Sequence, residues 1–524
     1  MSYAGRSGPR TARDSGSRAR RPNIVFLMAD DHQAMAMGCA GNRYIATPNL
    51  DSIAADGLRF NRCYATSPLC MPSRATVFTG LNEYRHGVNF KPNSHSVTAA
   101  MTADTWDRYS YAPLLREAGY RTGFAGKWGF PVGKSGYEHD FDAWGGFAGH
   151  SQGSYDTADN AALAHYADEQ PHVTRALGAF GRDFIRESEH DDRPFCLSVS
   201  FKAPHTPHDN IDPADRTLYD GIAFSRRQNW GREKAMLLPP QARLGRQYYL
   251  FHEWDETHYD DHIRAYYRLI SGIDAVVGRL RDGLERAGVA QDTVIIYTSD
   301  NGYYCGSHGL GGKVLPHEES SRVPLVIMDP RRDSGDAGRV SQAIVGTVDF
   351  APTILALAGL DPVADADGTS LLPLVNGGSS RVRESLPLIA NWGWAEDDRA
   401  RSMAVVTEEA KYTYWCYGDE HVRPAEELYD LRRDPLELEN LASPEEGGAL
   451  LEKMRRLYDE HQRDWSERCV ESEDYTRHRL LFDRRADWTE KSYRGLSNPD
   501  RAREVLSRLY EEEISRGGDQ GEHP

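Results

Sequence analysis

Two short apolar runs that end in acidic residues constrain the fold more than any other feature of this 524-residue chain. One run leads into Asp30 and Asp31, and another, much later in the sequence, leads into Asp300 and Asn301. Short apolar runs between polar residues are typical of buried strands in a parallel sheet. Because the carboxyl ends of parallel strands meet at one edge of the sheet, the pattern predicts that these four side chains converge.

Strands and helices alternate through most of the chain. The predicted strands are residues 23–28, 58–65, 120–125, 195–201, 293–298 and 323–328. The predicted helices are residues 47–57, 70–80, 111–119, 178–188 and 262–287. This alternation predicts an α/β fold with a large, doubly wound, mostly parallel sheet flanked by helices.

Changes in composition and in the predicted elements along the sequence indicate four segments. Residues 22–380 form a large α/β domain that carries the acidic strand ends, and residues 381–469 form a smaller α+β subdomain with a hairpin and one long helix. Residues 1–21 are rich in Arg, Ser and Gly, a composition typical of disorder. Residues 470–524 form a charged extension with a predicted helix at 500–515, which is a candidate contact with another copy of the chain.

Charge and hydropathy exclude several kinds of partner. The formal net charge of −17 argues against nucleic acid, because binding to phosphates requires a basic face. An anionic substrate must therefore be captured by a local cluster of positive charge. No apolar run approaches the roughly 20 residues of a membrane span, and the run after Arg20 and Arg21 is too short for an export signal. We expect a cytoplasmic protein that does not enter membranes.

One of the seven scattered cysteines stands apart. None forms a C-x-x-C pair, so neither a disulfide framework nor a structural zinc site is indicated. Cys70, however, precedes Pro72 and Ser73, which can start a helix that Gly80 would end. Backbone N–H groups at such a helix start favour an anion. Arg74, one turn further, adds a positive charge with a planar fork suited to an oxyanion.

The acidic strand ends predict a metal site. Three carboxylates and an amide oxygen at one edge would repel each other unless a hard cation lay between them, and oxygen ligands suit Ca²⁺ or Mg²⁺. The alternative is that the Asp-Asp and Asp-Asn-Gly stretches are only turn and cap residues. A site and a turn can share these residues, so the sequence pattern alone leaves both interpretations open.

The stretch from Cys70 to Arg74 reads Cys-Met-Pro-Ser-Arg and matches C-x-P-S-R. In this respect, and over roughly residues 22–465, the chain resembles the type I, formylglycine-dependent sulfatases of the alkaline phosphatase superfamily. In that family a maturation enzyme oxidises the Cys to Cα-formylglycine, and the usual ion is calcium. The resemblance implies Ca²⁺, with Mg²⁺ as the alternative, on these ligands: Asp30, Asp31, the modified Cys70, Asp300 and Asn301.

The resemblance also implies a mechanism. A thiolate is soft and the expected cation is hard, which is a chemical reason to expect conversion of Cys70 to an aldehyde. One hydroxyl of its hydrate would attack sulfur, and loss of the proton from the other would expel sulfate. Lys127 and Lys313 match positions that hold sulfate oxygens. His205 matches a proton donor to the leaving alcohol or a sulfate ligand, and His308 would lie behind these groups.

One position departs from the family pattern. Many sulfatases carry a His two residues after the Lys that corresponds to Lys127, where this chain has Gly129. In the family this His is a candidate for the base that triggers sulfate release. Its absence leaves that role open to His308, to His205 or to another nearby group.

The expected activity is hydrolysis of a sulfate monoester of a small molecule or a saccharide. Two aromatic-rich insertions, residues 135–171 and 208–261, are predicted to form the pocket wall, but they do not decide between a glycan, an aryl alcohol and an alkyl alcohol. One alternative function is a phosphonate monoester or phosphodiester hydrolase on the same scaffold. An alternative of another class is a non-catalytic protein that binds anions or glycans.

Overall fold

The computed structural model describes residues 21–90, 101–148, 153–243, 245–332, 337–392, 400–416 and 423–489. Its strands are β1 (Asn23–Ala29), β2 (Leu58–Phe60), β3 (Cys63–Tyr64), β4 (Arg121–Gly126), β5 (Ala143–Gly146), β6 (Phe195–Ser200), β7 (Thr293–Ser299), β8 (Arg322–Val323), β9 (Leu325–Met328), β10 (Arg339–Ser341), β11 (Val345–Gly346), β12 (Leu386–Trp392), β13 (Ala400–Val406), β14 (Ala410–Trp415) and β15 (Ala425–Asp430).

Its helices are α1 (Pro48–Asp56), α2 (Cys70–Thr79), α3 (Glu83–His86), α4 (Ala103–Tyr109), α5 (Tyr111–Glu117), α6 (Val173–Glu187), α7 (Pro240–Arg243), α8 (Arg246–Tyr249), α9 (Tyr259–Arg286), α10 (Glu318–Ser321), α11 (Phe350–Leu357), α12 (Leu372–Val375), α13 (Pro444–Arg468) and α14 (Glu473–Leu481). Within the described ranges, no helix combines the length and the apolar character needed to cross a bilayer. Residues 1–20 of the predicted disordered segment, and the helix predicted at 500–515, lie outside those ranges.

Eight strands form the main sheet, in the order β10-β2-β9-β7-β1-β6-β4-β5. Neighbouring strands are parallel except at β9, which pairs antiparallel with β7 and β2. The central strand β1 lies between β6 and β7, with Leu27 opposite Val199 on one side and Tyr297 on the other. The predicted large, mostly parallel sheet is therefore confirmed.

Side chains of β1 alternate between two hydrophobic cores, as the two-residue period of a strand requires. Phe26 lies in the core formed with α2, α4, α5 and α11, where its ring contacts those of Tyr111 and Phe350. Leu27 lies in the core on the opposite face, formed with α1, α6 and α9. Full burial of one such side chain contributes about 1.5 to 3 kcal/mol, so helices on both faces stabilise the strand.

Two predicted elements have different boundaries in the structure. Residues 58–65 form two strands, because β2 joins the main sheet while β3 joins a separate sheet with β11 and β8. Helix α6 begins at Val173, before the predicted start at Gly178. A Cβ on Gly178 would lie 2.9 Å from Val276 Cγ1 of α9. This glycine therefore allows two helices to approach closely and does not begin a helix.

The C-terminal subdomain is an antiparallel sheet, β12-β13-β14-β15, with α13 on one face. The predicted hairpin and long helix are confirmed as β13–β14 and α13, which has a non-helical residue at Gly448 (φ 46°). The other face packs against the main domain, where Leu388 and Val406 share a core with Tyr64 and Val348. The two parts thus meet along an apolar interface.

A buried group of charges crosses the same interface. Lys411 of β14 lies 2.8 Å from the Glu318 carboxylate of α10 and 3.0 Å from the Glu437 carboxylate. Glu437 also accepts a 2.7 Å hydrogen bond from the backbone N–H of Glu318. Burial and the Glu318 charge raise the pKa of Glu437 to about 7, although Lys411 opposes this shift. The Lys411 ammonium therefore bridges two buried carboxylates, one of which, Glu318, also pairs with Arg322.

Substitution of Lys411 by methionine is expected to lower the free energy of unfolding by about 3 to 5 kcal/mol, because Glu437 loses its counter-ion and Glu318 keeps only Arg322. Urea unfolding followed by circular dichroism measures this loss. The double variant Lys411→Met/Glu437→Gln should recover part of it, since one of the two carboxylates is then neutral. A loss below 1 kcal/mol in the single variant would show that water or rearrangement compensates for the charge.

Candidate active site

The acidic ends of β1 and β7 lie side by side. The two strands are parallel, with Ala29 opposite Ser299, so that Asp30 and Asp300 follow at equivalent positions. The backbone N–H of Asp31 donates to Asp300 Oδ1 at 3.3 Å. Parallel pairing of the two strands therefore places three of the five predicted metal ligands, Asp30, Asp31 and Asp300, next to each other, and all three are buried.

Asp31 has a left-handed backbone conformation, with φ of 72°. The hydroxyl of Tyr266 on α9 donates to the Asp31 carbonyl at 2.6 Å and accepts from the backbone N–H of Gln33 at 2.9 Å. Such a conformation is uncommon outside glycine and asparagine. It turns the chain sharply at the strand end, so that the Asp30 and Asp31 carboxylates both reach the same cluster.

Helix α2 contributes Cys70 at its first position. One ligand atom each from Asp30, Asp31, Cys70 and Asp300 lie within 4.8 Å of one another. The thiol donates to Asp30 Oδ1 at 3.0 Å. Burial and the Asp30 charge raise the pKa of the Cys70 thiol well above its ordinary value. An unmodified Cys70 would therefore be protonated, and neither a good nucleophile nor a good ligand.

Asn301, the fifth predicted ligand, completes the cluster. Its side-chain nitrogen donates to Asp31 Oδ1 at 2.6 Å, while its Oδ1 atom is buried without a hydrogen-bond partner. A buried polar oxygen without a partner is unusual in a folded protein. An amide oxygen beside three carboxylates fits a hard divalent cation, which satisfies this donor set.

Arg74 lies one turn into α2 and is fully buried. Its Nε atom donates to Asp300 Oδ2 at 2.8 Å, and its Nη1 atom donates to the Lys127 carbonyl at 2.7 Å and contacts the Ser200 hydroxyl. Its Nη2 atom, 3.5 Å from Asp30 Oδ2, has no hydrogen-bond partner. Arg74 is therefore fixed by α2, β7 and the end of β4, with one donor left for a ligand.

Two lysines complete the positive side of the cluster. Lys127, after β4, contacts Asp30 Oδ2. Lys313 contacts Asp31 Oδ1 and lies 2.7 Å from Cys70 Sγ. Burial lowers the pKa of Lys313, but Asp31 and the neighbouring acidic groups outweigh it and raise the pKa well above the ordinary value. Lys313 therefore carries charge at neutral pH.

The pKa values of Asp30 and Asp300 are shifted in opposite directions, although the nearby cations lower both. Burial raises the pKa of Asp30, but Lys127 and the other nearby cations lower it well below its ordinary value. Burial and the negative charge of Asp30 raise the pKa of Asp300 to about 6, against the effect of Arg74. A cation bound among these groups would favour the ionised form of each.

His205 faces the cluster from the loop after β6. A ring nitrogen lies within 4.8 Å of both Asp30 and Cys70 ligand atoms, and Nε2 is 3.9 Å from Asp31 Oδ2. Nδ1 is 2.8 Å from the Thr206 carbonyl, so the proton belongs on Nδ1 and the lone pair on Nε2. Burial lowers the pKa of His205 to about 3, despite the nearby carboxylates.

His308 is the one predicted site residue that the structure does not bring into the cluster. Its Nε2 lies 3.3 Å from Glu319 Oε2, its backbone N–H donates to the Asn229 carbonyl at 2.5 Å, and its ring stacks on His317 at 4.9 Å. None of these partners belongs to the proposed metal or sulfate ligands. His308 therefore anchors the loop that leads to Lys313.

Gly129 is the position where the resemblance led us to expect a histidine, and here the side chain of Arg74 occupies the space. A Cβ at this position would lie 2.7 Å from Arg74 Cδ, and the backbone has φ of 89°. The structure therefore leaves no room for a side chain without moving Arg74. This contact explains why a glycine, and not merely a small residue, occupies the position.

Substitution of Gly129 by alanine is expected to lower the free energy of unfolding by about 1 to 3 kcal/mol, because a strained backbone is added to the contact with Arg74. Turnover of a sulfate ester should fall as well, since Arg74 must shift. Gly221→Ala is the matched control, because Gly221 has φ of 72° but open space around it. Loss of activity in both variants would show that backbone strain, and not Arg74, is responsible.

Two further polar residues of the site were missed by sequence reasoning. Ser73 donates from Oγ to the Asp300 carbonyl at 2.5 Å. Lys202 is almost fully buried just after β6, and burial together with Lys127 lowers its pKa to about 8. The available signal for Lys202 was its place directly after a strand that neighbours β1. For Ser73, the Cys-Met-Pro-Ser-Arg motif indicated a helix start but no contact with the site.

Comparison with protein families identifies two matching regions. Residues 22–360 match the family described as sulfatase. Residues 306–464 match the family described as N-sulphoglucosamine sulphohydrolase, C-terminal. The second region begins in the loop that carries His308 and Lys313 and ends within α13. Both parts of the fold therefore have counterparts in known proteins.

Individual relatives cover most of the chain. An N-acetylglucosamine-6-O-sulfatase of Bacteroides thetaiotaomicron is 29% identical over 508 residues, covering 86% of this chain and 87% of the relative. A choline-sulfatase of Rhizobium meliloti is 30% identical over 463 residues, covering 82% of this chain and 83% of the relative. Sequence similarity thus extends across the main domain and most of the C-terminal subdomain.

Two solved structures show the same architecture. One is a complex with its substrate, D-glucosamine-2-N,6-O-disulfate; its TM-score is 0.70 at 26% identity, covering 86% of this chain and 99% of that one. The other is a phosphonate monoester hydrolase of Agrobacterium radiobacter, with a TM-score of 0.67 at 25% identity, covering 84% of this chain and 96% of that one.

Proposed function

The chain belongs to the sulfatase family and is a sulfuric ester hydrolase, and from this premise we propose that it cleaves a sulfate monoester with residue 70, matured to formylglycine, as the nucleophile. The observation that carries the proposal is the meeting of Cys70 with three buried carboxylates within 4.8 Å. Family membership decides against the non-catalytic alternative. A formylglycine-generating enzyme is the maturation partner that the proposal requires.

We also propose a divalent cation, Ca²⁺ with Mg²⁺ as the alternative, among the oxygen donors at the ends of β1 and β7. Its ligands would be Asp30, Asp31, Asp300, Asn301 and residue 70. The unpartnered buried Oδ1 of Asn301 and the hard donor set support it. When bound, the cation and the formylglycine hydrate supply a hydroxyl of lowered pKa as the nucleophile.

The remaining residues would bind and orient the sulfate group. Three cations, Arg74, Lys127 and Lys313, neutralise the three carboxylates, so that the charge of a bound dication is left to attract an anion. Lys313 Nζ lies close enough to residue 70 to contact a sulfate oxygen there. These groups are held in place by buried contacts before substrate arrives, which favours electrostatic stabilisation of developing negative charge.

His205 is placed to handle the proton of the leaving alcohol. Its Nδ1–H is held by the Thr206 carbonyl, so Nε2 faces the cluster. A proton on Nε2 passes to the leaving oxygen when the negative charge of the bound substrate favours the acidic form of His205, which the dication opposes. The absence of a histidine at Gly129 leaves His205 as the imidazole in contact with the cluster among the described residues.

Mass spectrometry of the peptide across residue 70 tests the maturation. Protein made in a host with a competent maturation system should show the mass of formylglycine in place of Cys70. The same preparation should hydrolyse aryl or sugar sulfates. A peptide that carries only unmodified Cys70, in active protein, would overturn the proposed nucleophile.

A phosphonate monoester hydrolase is the second candidate, since the solved structure of one such enzyme shares this fold at 25% identity. Matched sulfate and phosphonate esters with the same leaving group separate the two functions. We expect a higher kcat/KM for the sulfate ester. A higher value for the phosphonate ester would reverse the assignment of substrate class.

A further inference from the structure

Two adjoining cavities lie along the interface between the main domain and the C-terminal subdomain. Their volumes are about 300 Å³ and about 500 Å³, and they share a wall that includes Met35, Arg322 and Pro435. Volumes of this size are typical of sites for small ligands. The two cavities lie side by side with common lining residues, and we call the pair the arginine cleft.

The lining of the arginine cleft is strongly basic. Its lining arginines are Arg43, Arg59, Arg62, Arg226, Arg227 and Arg322. The only acidic lining residues are Glu318 and Glu319, and neither aspartate nor lysine lines either cavity. In a chain with a formal net charge of −17, this is a local concentration of positive charge.

The two lining glutamates are already paired with two of the lining arginines, since Arg322 contacts Glu318 and Arg227 lies 3.6 Å from Glu319. Glu318 lies 2.7 Å from Arg322 Nε and 2.8 Å from Lys411 Nζ. Glu319 accepts a 2.8 Å hydrogen bond from Asn229 and lies 3.3 Å from His308 Nε2. These carboxylates therefore do not neutralise the other arginines of the cleft.

Those other arginines are largely unpaired. Arg43, Arg59 and Arg62 have no carboxylate within 4.0 Å in the described part of the chain; Arg43 and Arg59 bond only to neutral groups such as the Tyr44 hydroxyl and the Asn61 amide. Arg226 lies 3.7 Å from Asp260 and is stacked on the rings of Trp230 and Tyr259. All four are partly or fully exposed to solvent.

We propose that the arginine cleft binds a sulfated glycan chain and holds the enzyme on a polymeric substrate. This rests on the proposed sulfatase function and names its substrate class. A guanidinium group presents a planar fork that pairs with two oxygens of a sulfate or carboxylate. Tyr44, which is partly exposed, lines the same cleft and offers an aromatic surface to a sugar ring.

The position of the cleft suits this role. It begins at Gln33, two residues after Asp31, and Arg227 Nη2 donates to the Gln33 side chain at 2.7 Å. It then extends to Arg59 and Arg62, around β2 and β3. A glycan in the cleft therefore lies beside the chain segment that carries the acidic strand end. None of the proposed catalytic residues lines either cavity.

A sulfated glycan fits better than a nucleic acid. Both ligands are polyanions, and a chain of net charge −17 repels both over long range, so the size of the cavities is what separates them. A short glycan segment in the cleft meets only the local arginines. The size of the two cavities accommodates a few sugar rings and excludes a duplex.

Isothermal titration calorimetry of the full-length protein with a heparin-derived octasaccharide at 100 mM salt tests the proposal. The cleft variant carries Arg43→Gln, Arg59→Gln, Arg62→Gln and Arg226→Gln, while Arg227 and Arg322 stay because they pair with buried glutamates. The control variant removes four exposed arginines elsewhere: Arg186, Arg286, Arg456 and Arg463. Both variants change the net charge equally. Turnover of 4-nitrophenyl sulfate is measured in parallel.

We expect the cleft variant to bind the octasaccharide at least about tenfold more weakly than the wild type, while the control variant and the turnover of the small sulfate stay within about twofold. Equal weakening in both variants, or no binding by the wild type, would overturn the proposal. Tighter cleft-dependent binding of a single-stranded DNA 20-mer would overturn the glycan assignment. Cleft-dependent octasaccharide binding without hydrolysis of any sulfate ester would support the cleft and reject the proposed sulfatase mechanism.

Discussion

Substitution of Cys70 by alanine is expected to abolish hydrolysis of sulfate esters, with kcat reduced by a factor of at least about 10⁴, because the proposed nucleophile is lost. The fold should persist, since Cys70 is a small side chain at the start of α2 and its removal costs about 1 kcal/mol of packing. Initial rates with 4-nitrophenyl sulfate, together with a thermal melt, measure both effects.

Cys196→Ala is the matched control for this prediction. Cys196 is also a buried thiol, but it lies in β6 within the core and contacts none of the proposed metal ligands. Its substitution should leave kcat within about twofold and lower stability by a similar amount. A Cys70→Ala protein with more than a tenth of wild-type kcat would rule out residue 70 as the nucleophile.

Substitution of Asp300 by asparagine is expected to lower kcat by a factor of at least about 10³, because it removes one of three anionic ligands and weakens the bound cation. Asparagine is preferable to alanine here. The Oδ1 atom of asparagine can still accept a hydrogen bond from Arg74 Nε. Alanine would remove the carboxylate partner of that buried guanidinium and lower the free energy of unfolding by about 3 to 5 kcal/mol. The ratio of metal to protein, measured after dialysis, should fall below that of the wild type.

Asp274→Asn provides the comparison for metal content. Asp274 is likewise a buried carboxylate, but it accepts hydrogen bonds from the backbone of Asn49 and Leu50 at the start of α1. Its substitution should reduce stability without changing the metal-to-protein ratio. If Asp300→Asn retains both a full complement of metal and wild-type kcat, Asp300 does not bind the cation.

Much of the site's geometry was predictable because it depends on strand ends. The apolar runs before Asp30 and Asp300 identified β1 and β7. Parallel pairing of these two strands then places Asp30 and Asp300 side by side. The helix start at Cys70 and its end at Gly80 followed from proline, serine and glycine preferences, and α2 has these limits. Such features are local in sequence, which is why pattern reasoning could reach them.

The direction of β9 could not be read in the same way. A short apolar run carries no information on strand direction, and the predicted fold placed residues 323–328 in a mostly parallel sheet. In the structure, residues between β7 and β9 stay at the active-site edge, with only the four-residue α10 among them. A parallel neighbour needs a crossover that returns the chain to the opposite edge, so β9 runs antiparallel.

The contacts of His308 and Gly129 were equally out of reach. The loop motif around His308 was readable, but its partners, Asn229 and Glu319, come from an insertion and from α10. At Gly129 the missing histidine was visible, but the space taken by Arg74 was not. Both outcomes depend on side chains from distant segments, and a single sequence does not state which segments meet.

The buried charges around Lys411 have a consequence for anyone who recombines enzymes of this kind. Glu318, which Lys411 neutralises, lies only five residues after Lys313 on the same loop and helix. A chimera that joins the first part of this chain to a foreign C-terminal half would inherit Glu318 without its ammonium partner. The junctions of such a chimera should therefore keep Lys411 and Glu437 together with the segment that carries Lys313 and Glu318.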